Sequence, residues 1–410
     1  MRVLIIGAGC TGAATAVRLR HKLGGDAHIQ VWEKARGAGG RYTTSRDAYP
    51  DGLKADMGAQ YASLDPEDEV SATLMATLVK AGGATLAPES VLADTAERAQ
   101  GTVQYRGTNG QNGIVKAMLE MSKAEVHYER RVMRIDQRGG RWSVTPRDAA
   151  QQEFDCVLMC VPGCGPGGDN LNKIHGNWEK LLSDAQWRHA EVPHDCRYSV
   201  ALWLEPGHHT ALESFFGESL EKRTSGGAEL LAWQSRKDGE RADGPHVVVV
   251  HTPQGARGNK QQAEPRLIGE TCRLLNLPQR AVTTSKIITW FQSQVISSTS
   301  PEACLVASQR PPLVLAGDYL TASTFTGCVQ SATAAAEAAA QLLAGGLVTP
   351  ASVPELASDS GRGGYPQRDG EKSCQQCRKK AQCTRDKSDG KWYCKACLDA
   401  YYGKTQGRSK

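Results

Sequence analysis

Two groups of residues in this 410-residue chain have the types and spacing to do chemistry. Near the start, Gly7, Gly9 and Gly12 stand in "GAGCTG", and Glu33 follows 21 residues after the last of them. Glycines so spaced let a pyrophosphate approach the backbone, and a carboxylate at that distance accepts from ribose hydroxyls. Far downstream, Cys374 and Cys377 form one C-x2-C and Cys394 and Cys397 another, with sixteen residues between them. Four thiolates in two such knuckles match a closed tetrahedral zinc site. Cys383 lies between the knuckles and is expected outside the ligand set.

The first group needs a strand, a turn and a helix to hold it. "RVLIIGAG" is a β-branched apolar run ended by glycine, which reads as a buried parallel strand. "ATAVRLRHKL" has helical spacing, and "HIQVWEK" reads as the next strand, ending at Glu33. The helix N-terminus then offers free N–H groups to phosphates. A second glycine loop, "ARGAGGRYTT", contains Gly40 and ends in Arg41, whose fork is expected to reach the pyrophosphate. In "PPLVLAGDYLTASTFTGCVQSATAAAEAAAQLL" a strand leads to Gly317 and Asp318, then to a loop and a long helix. Asp318 is expected on a ribityl chain. The helix, beginning near Gly327, would favour negative charge on a flavin ring. Segments some 280 residues apart closing on one dinucleotide suit FAD better than NAD.

These motifs together resemble the flavin-containing amine oxidase superfamily, and within it the renalase family. The similar stretches are "VLIIGAGCTG", "VWEKARGAGGRYTT", "ADMGAQY", "FDCVLMCVP", "RYSVALWLEPG", "VVVHTP", "KIITWFQSQV" and "GDYLTASTFTGCVQSA", in family order over roughly residues 1–345. The resemblance implies cofactor contacts at Thr11, Gln60, Tyr61, Val132, Cys328 and Val329 as well. It implies non-covalent FAD, because the Ser-Gly-Gly-Cys attachment context is absent. It also implies an activity: oxidation of 2- and 6-dihydro isomers of NAD(P)H to NAD(P)+, with dioxygen reduced to hydrogen peroxide. Such a reaction needs an apolar, aromatic pocket more than an acid–base pair. Trp290 is the candidate substrate wall, and His251 is expected to face the same cavity. Tyr42 and Tyr319 depart from the family pattern near the expected flavin edge. A flavin amine oxidase acting on a small amine, and a flavoprotein adaptor working through its cysteine-rich tail, are the alternatives.

The expected architecture is α/β: an FAD-binding Rossmann-like domain, a mixed-sheet substrate domain and a small zinc-stabilised module. The FAD domain would take residues 1–65, 101–192 and 287–346, and the substrate domain 66–100 and 193–286. A linker, 347–373, rich in Gly, Ser, Pro and charge, would lead to the module at 374–402. Of the thirteen cysteines, eight are scattered through the first 328 residues, as expected for reduced core thiols. With no secretory signal or membrane span read in the sequence, a cytoplasmic setting is expected. From Glu371 onward eleven Lys and Arg face four Asp and Glu, so the chain's net charge of +5 comes from its tail. A basic tail with Trp392, Tyr393, Tyr401 and Tyr402 fits a protein-docking role better than nucleic-acid stacking.

Overall fold

The computed structural model describes residues 1–45, 52–87, 101–163, 173–239, 242–256, 258–296, 298, 300–349 and four short strands beyond. The chain divides into two units, Met1–Ala351 and Ser352–Lys410.

The apolar opening run forms β1 (Arg2–Ile6), inside a six-stranded sheet. Its companions are β2 (His28–Trp32), β6 (Glu125–His127), β10 (Cys156–Met159), β16 (Cys304–Gln309) and β17 (Pro312–Ala316), in the order β16-β17-β10-β1-β2-β6. All neighbours are parallel except β16 against β17. Helices α1 (Cys10–Leu23), α3 (Asn112–Ser122) and α9 (Phe325–Leu343) cover one face, burying Val3, Ile5, Ile29, Val31 and Leu158. The alternate residues Leu4, Ile6, Trp32, Val157 and Met159 point the other way. They pack on a three-stranded antiparallel sheet of β7 (Val132–Arg138), β8 (Arg141–Pro146) and β9 (Gln152–Phe154) through Ile135, Trp142, Val144 and Phe154. Because both faces are covered, these strands read as unbroken apolar runs.

A second large sheet is wholly antiparallel: β12 (Glu221–Arg223), β13 (Leu230–Trp233), β14 (His246–His251), β11 (Arg197–Leu204) and β15 (Val282–Trp290), in that order. The even-numbered residues of β11, from Tyr198 to Leu204, face α6 (His209–Phe216) and α8 (Lys260–Leu274). The odd-numbered Ala201 and Trp203 face the other way, against Ala55 and Met57. That second face carries the candidate site. Connecting elements include β3 (Ala62–Leu64), β4 (Ala84–Leu86) and β5 (Val103–Gly107), which form a small sheet beside α2 (Glu69–Lys80). Short helices α4 (Trp178–Leu181), α5 (Asp184–Ala190) and α7 (Gln234–Lys237) complete the first unit. Among the described residues no helix is long and apolar enough to cross a membrane.

In the second unit, β18 (Lys372–Ser373) pairs with β19 (Lys380–Ala381), and β20 (Cys383–Arg385) with β21 (Trp392–Cys394). Cys374, Cys377 and Cys397 lie outside the described residues. Cys394 ends β21, directly across the ladder from Cys383.

Candidate flavin and substrate site

β1 ends where the strand order of the parallel sheet reverses, with β2 on one side and β10 on the other. Ligands of such sheets bind in the crevice at the carboxyl ends of strands at this point. Gly7, at φ +108°, leaves β1 there, and a Cβ on it would fall 2.5 Å from the Cys160 carbonyl oxygen just beyond β10. A Cβ on Gly12, in the first turn of α1, would fall 1.9 Å from the Gly7 oxygen. The helix therefore packs on the turn only through glycine. Gly9 is the N-cap of α1 and supplies no side-chain cap, so the helix start is bare for an anion.

The second glycine loop lies directly on the first. Gly39 N–H donates to the Ala8 oxygen at 2.9 Å, and a Cβ on Gly40 would come within 3.2 Å of Gly9 Cα. Glu33, buried at the end of β2, accepts from Ala8 N–H and Ala35 N–H, each at 2.8 Å. A carboxylate keeps acceptor capacity beyond two such bonds, so it is anchored yet able to take ribose hydroxyls. Bare helix start, glycine cradle and anchored acid fit a dinucleotide.

Arg41 and Asp318 were each expected on the cofactor, and they meet one another. The guanidinium grips both carboxylate oxygens, Nη1 to Oδ2 at 2.6 Å and Nη2 to Oδ1 at 2.5 Å, and Ser323 Oγ donates to Oδ2 at 2.5 Å. Burial pushes Asp318 up, but Arg41 and Ser323 more than reverse this and hold it below the usual carboxylate range. Asp318 thereby ties the glycine loop to the turn before α9. That helix starts at Phe325, two residues earlier than expected, because Thr324 Oγ1 accepts from Gly327 N–H at 2.9 Å. Cys328 on α9 takes hydrogen bonds from Cys10 and Thr11 on α1, which favour its thiolate despite burial. Gly317 N–H is tied to Ser331 Oγ at 2.9 Å, and Val329 is fully buried. Val132 starts β7, buried in the cluster that holds Trp32, while Tyr61 is half-buried. Tyr42 and Tyr319 are both core residues, the latter's ring lying against Gly163 and Gly317.

The second half of the site follows from strand parity. Arg197 stands opposite Trp290, and Ser199 opposite both Ile288 and His251. Directly paired residues share a face, so Arg197, Ser199, His251 and Trp290 line one surface at one end of the sheet. Trp290 Nε1 donates to the Met57 oxygen at 2.9 Å, and His251 Nε2 lies 3.1 Å from Gln60 Nε2. The segment "ADMGAQY" thus spans the glycine loop and this face. Ser199 is fully buried, and its hydroxyl has no partner among the described residues. Burial, with the Arg197 and Lys237 cations, pushes His251 down to about 3, so the imidazole is neutral.

Sequence reasoning did not single out Arg197, Ser199, Asp56 or Lys237. The first two carried a signal: they are the polar residues at alternate positions in "RYSVALWL". Lys237 carried none, standing in a stretch without periodic pattern.

Comparison with known proteins agrees with this geometry. The flavin containing amine oxidoreductase family matches residues 71–343, and an NAD(P)-binding Rossmann-like domain matches 5–77. Mouse (Mus musculus) renalase is 26% identical over 343 residues, covering 81% of this chain and 96% of renalase. Two solved structures share the fold at 12% identity. One is wild-type putrescine oxidase bound to putrescine, with TM-score 0.56 over 84% of this chain and 99% of that one. The other is an Exiguobacterium sp. 255-15 protein described as a protoporphyrinogen oxidase, with TM-score 0.57 over 83% and 98%. With two thirds of its length matched and a cradle built for a dinucleotide, the chain belongs to the flavin containing amine oxidoreductase family and is an FAD-dependent oxidoreductase.

Proposed function

We propose that the protein is a renalase-like oxidase, converting 2- and 6-dihydro isomers of NAD(P)H to NAD(P)+ while dioxygen becomes hydrogen peroxide. The observation that carries this reading is the chemistry of the second face: an aromatic wall at Trp290 on the same face as an imidazole held down at about 3, too weak a base to take a proton. A dihydropyridine becomes aromatic by losing hydride alone, so no proton acceptor is needed. Bound FAD supplies the two-electron acceptor and its reoxidation by oxygen. The chain's part is positioning. Gly7, Gly9, Thr11, Gly12, Glu33, Gly40 and Arg41 hold the dinucleotide non-covalently, with Gln60, Tyr61, Val132, Gly317, Asp318, Cys328 and Val329 around them. Trp290, fixed by its bond to Met57, sets the plane of the substrate ring, and His251 offers it a polar edge.

Anaerobic mixing of the holoprotein with 2- and 6-dihydroNAD(P) and with a panel of small amines tests this. Bleaching of the flavin within seconds by the dihydronicotinamides supports the reading; bleaching by amines alone replaces it with an amine oxidase.

For the tail, we propose one structural zinc held by Cys374, Cys377, Cys394 and Cys397. Support comes from the ligand spacing, and from the size of a segment too short to bury a useful core without metal. Its basic, aromatic surface suits a protein partner.

A further inference from the structure

Behind the second face lies a buried polar cluster whose orientation is decided by its chemistry. Lys237, at the end of α7, is buried, and its ammonium has three donors and no acceptor. Nζ lies 2.9 Å from Gln60 Oε1, 3.0 Å from the Gln60 backbone oxygen and 3.6 Å from Asp56 Oδ2. The amide oxygen of Gln60 must therefore face Lys237. Its amino group must face the other way, where the Asp56 carbonyl accepts at 2.7 Å. These two neighbours, one only a donor and one only an acceptor, fix an orientation that an amide by itself leaves open.

That amino group has two further neighbours, the Gly58 carbonyl at 3.4 Å and His251 Nε2 at 3.1 Å. Facing a donor, Nε2 must accept, which places the ring's proton on Nδ1. We propose that Lys237 is a positioning residue which, through Gln60, holds His251 as its neutral Nδ1–H tautomer. The ring thereby offers the substrate a hydrogen-bond donor and no base. The ligand group that suits such a donor is an uncharged acceptor, of the kind a carboxamide carbonyl supplies; an ammonium finds no partner in it. For the ligand's identity this rests on the proposed dihydronicotinamide reading; for the tautomer it does not. Burial first, then the Arg197 and Lys237 cations, disfavours a proton on the ring, and each cation is itself paired: Arg197 with Asp195 at 2.5 Å and Glu229 at 3.9 Å, Lys237 with Asp56 at 3.6 Å.

The test is nitrogen NMR of holoenzyme labelled with 15N-histidine, the His251 signals being assigned by loss in His251→Gln. The expected result is a pyridine-type Nε2 and a pyrrole-type Nδ1, with no titration across the neutral range. Lys237→Met frees the Gln60 amide to turn, so the tautomers mix and the ring titrates at higher pH; Lys237→Arg restores the single tautomer. Gln60→Glu replaces the donor with an acceptor and moves the proton to Nε2. Far-UV circular dichroism and a cooperative urea transition verify that each variant folds. With dihydronicotinamide as substrate, Lys237→Met raises KM by roughly three- to tenfold with kcat within about twofold, the loss of one oriented donor. A proton on Nε2 in the unaltered holoenzyme overturns the proposal, as do ring nitrogens that ignore Lys237→Met or a KM that stays put while they move. If the flavin answers only to amines but the tautomer is as stated, the substrate reading fails and the positioning role stands.

Discussion

Replacing Arg41 with methionine strands the carboxylate of Asp318, whose side chain is 3% exposed while that of Arg41 is 26% exposed. Three charge-assisted bonds then fall to one, the contact from Ser323 Oγ. Breaking one side of a buried ion pair costs about 3–5 kcal/mol, because the remaining charge stays desolvated. The partial exposure of Arg41 puts the expectation at the lower end, about 3 kcal/mol. Neutralising both partners, Arg41→Met with Asp318→Asn, should cost less than the single change, since no charge is left behind. The sign of the pH dependence follows. In the unaltered protein Asp318 is depressed, so its contribution is present above the unfolded carboxylate value of about 3.9 and lost as pH falls through the folded value. In Arg41→Met burial raises the carboxyl instead, so the penalty is full at neutral pH and relieved on acidification through the raised value. The gap between the two proteins should narrow toward about pH 4. Urea unfolding of flavin-free protein at pH 7 and 4.5 measures this. A cost below about 1 kcal/mol that does not vary with pH would mean that Arg41 stabilises like an exposed charge, and the reasoning fails.

Gly12→Ala puts a methyl group 1.9 Å from the Gly7 oxygen, so it should cost about 1–3 kcal/mol and lower FAD loading, read by flavin absorbance. Gly25→Ala, with nothing within 4 Å of its Cβ, is the silent control. Trp290→Ala should slow flavin reduction by dihydronicotinamides while leaving FAD bound, as stopped-flow traces would show; equal loss of flavin would return Trp290 to core packing. Deleting residues 366–410 should leave FAD content and oxidase activity unchanged within about twofold. Cys394→Ser should lose the zinc by metal analysis and Cys383→Ser should keep it. Zinc lost in the Cys383 variant would mean that the fourth ligand is wrongly assigned, a sharp question given that the two cysteines are register partners in β20 and β21.

The β1–glycine–α1–β2 unit was legible because each signal is local. An apolar run, three glycines, a helical period and Glu33 lie within 33 residues, and the close approaches at Gly7 and Gly12 give the spacing its reason. The pairing of Arg41 with Asp318 was not legible, although both residues were singled out, because a sequence shows which groups converge and not which satisfies which. The start of α9 was misplaced for a smaller reason. Thr324 caps by accepting from the N–H of a glycine, without the acidic residue at the third position that marks a capping box. Lys237 was hidden entirely, since a lysine in "WQSRKDGER" reads as surface charge until tertiary contacts bury it beside Gln60, 177 positions earlier.

The contact between Arg41 and Asp318 joins residues 277 positions apart. During synthesis at about 5–20 residues per second, the glycine loop is made roughly 14–55 s before Asp318. Through much of that time β1 has β2 on one side, while β10, its neighbour on the other, lies some 150 residues downstream. An unpaired edge of buried, β-branched sequence is the kind of surface on which nascent chains aggregate. On the proposed cofactor contacts, FAD cannot shorten this interval, because the loop and helix that would hold it do not meet until α9 is made. Expression yield should therefore respond to slower growth temperature and to chaperones that hold open chains far more than to riboflavin supply.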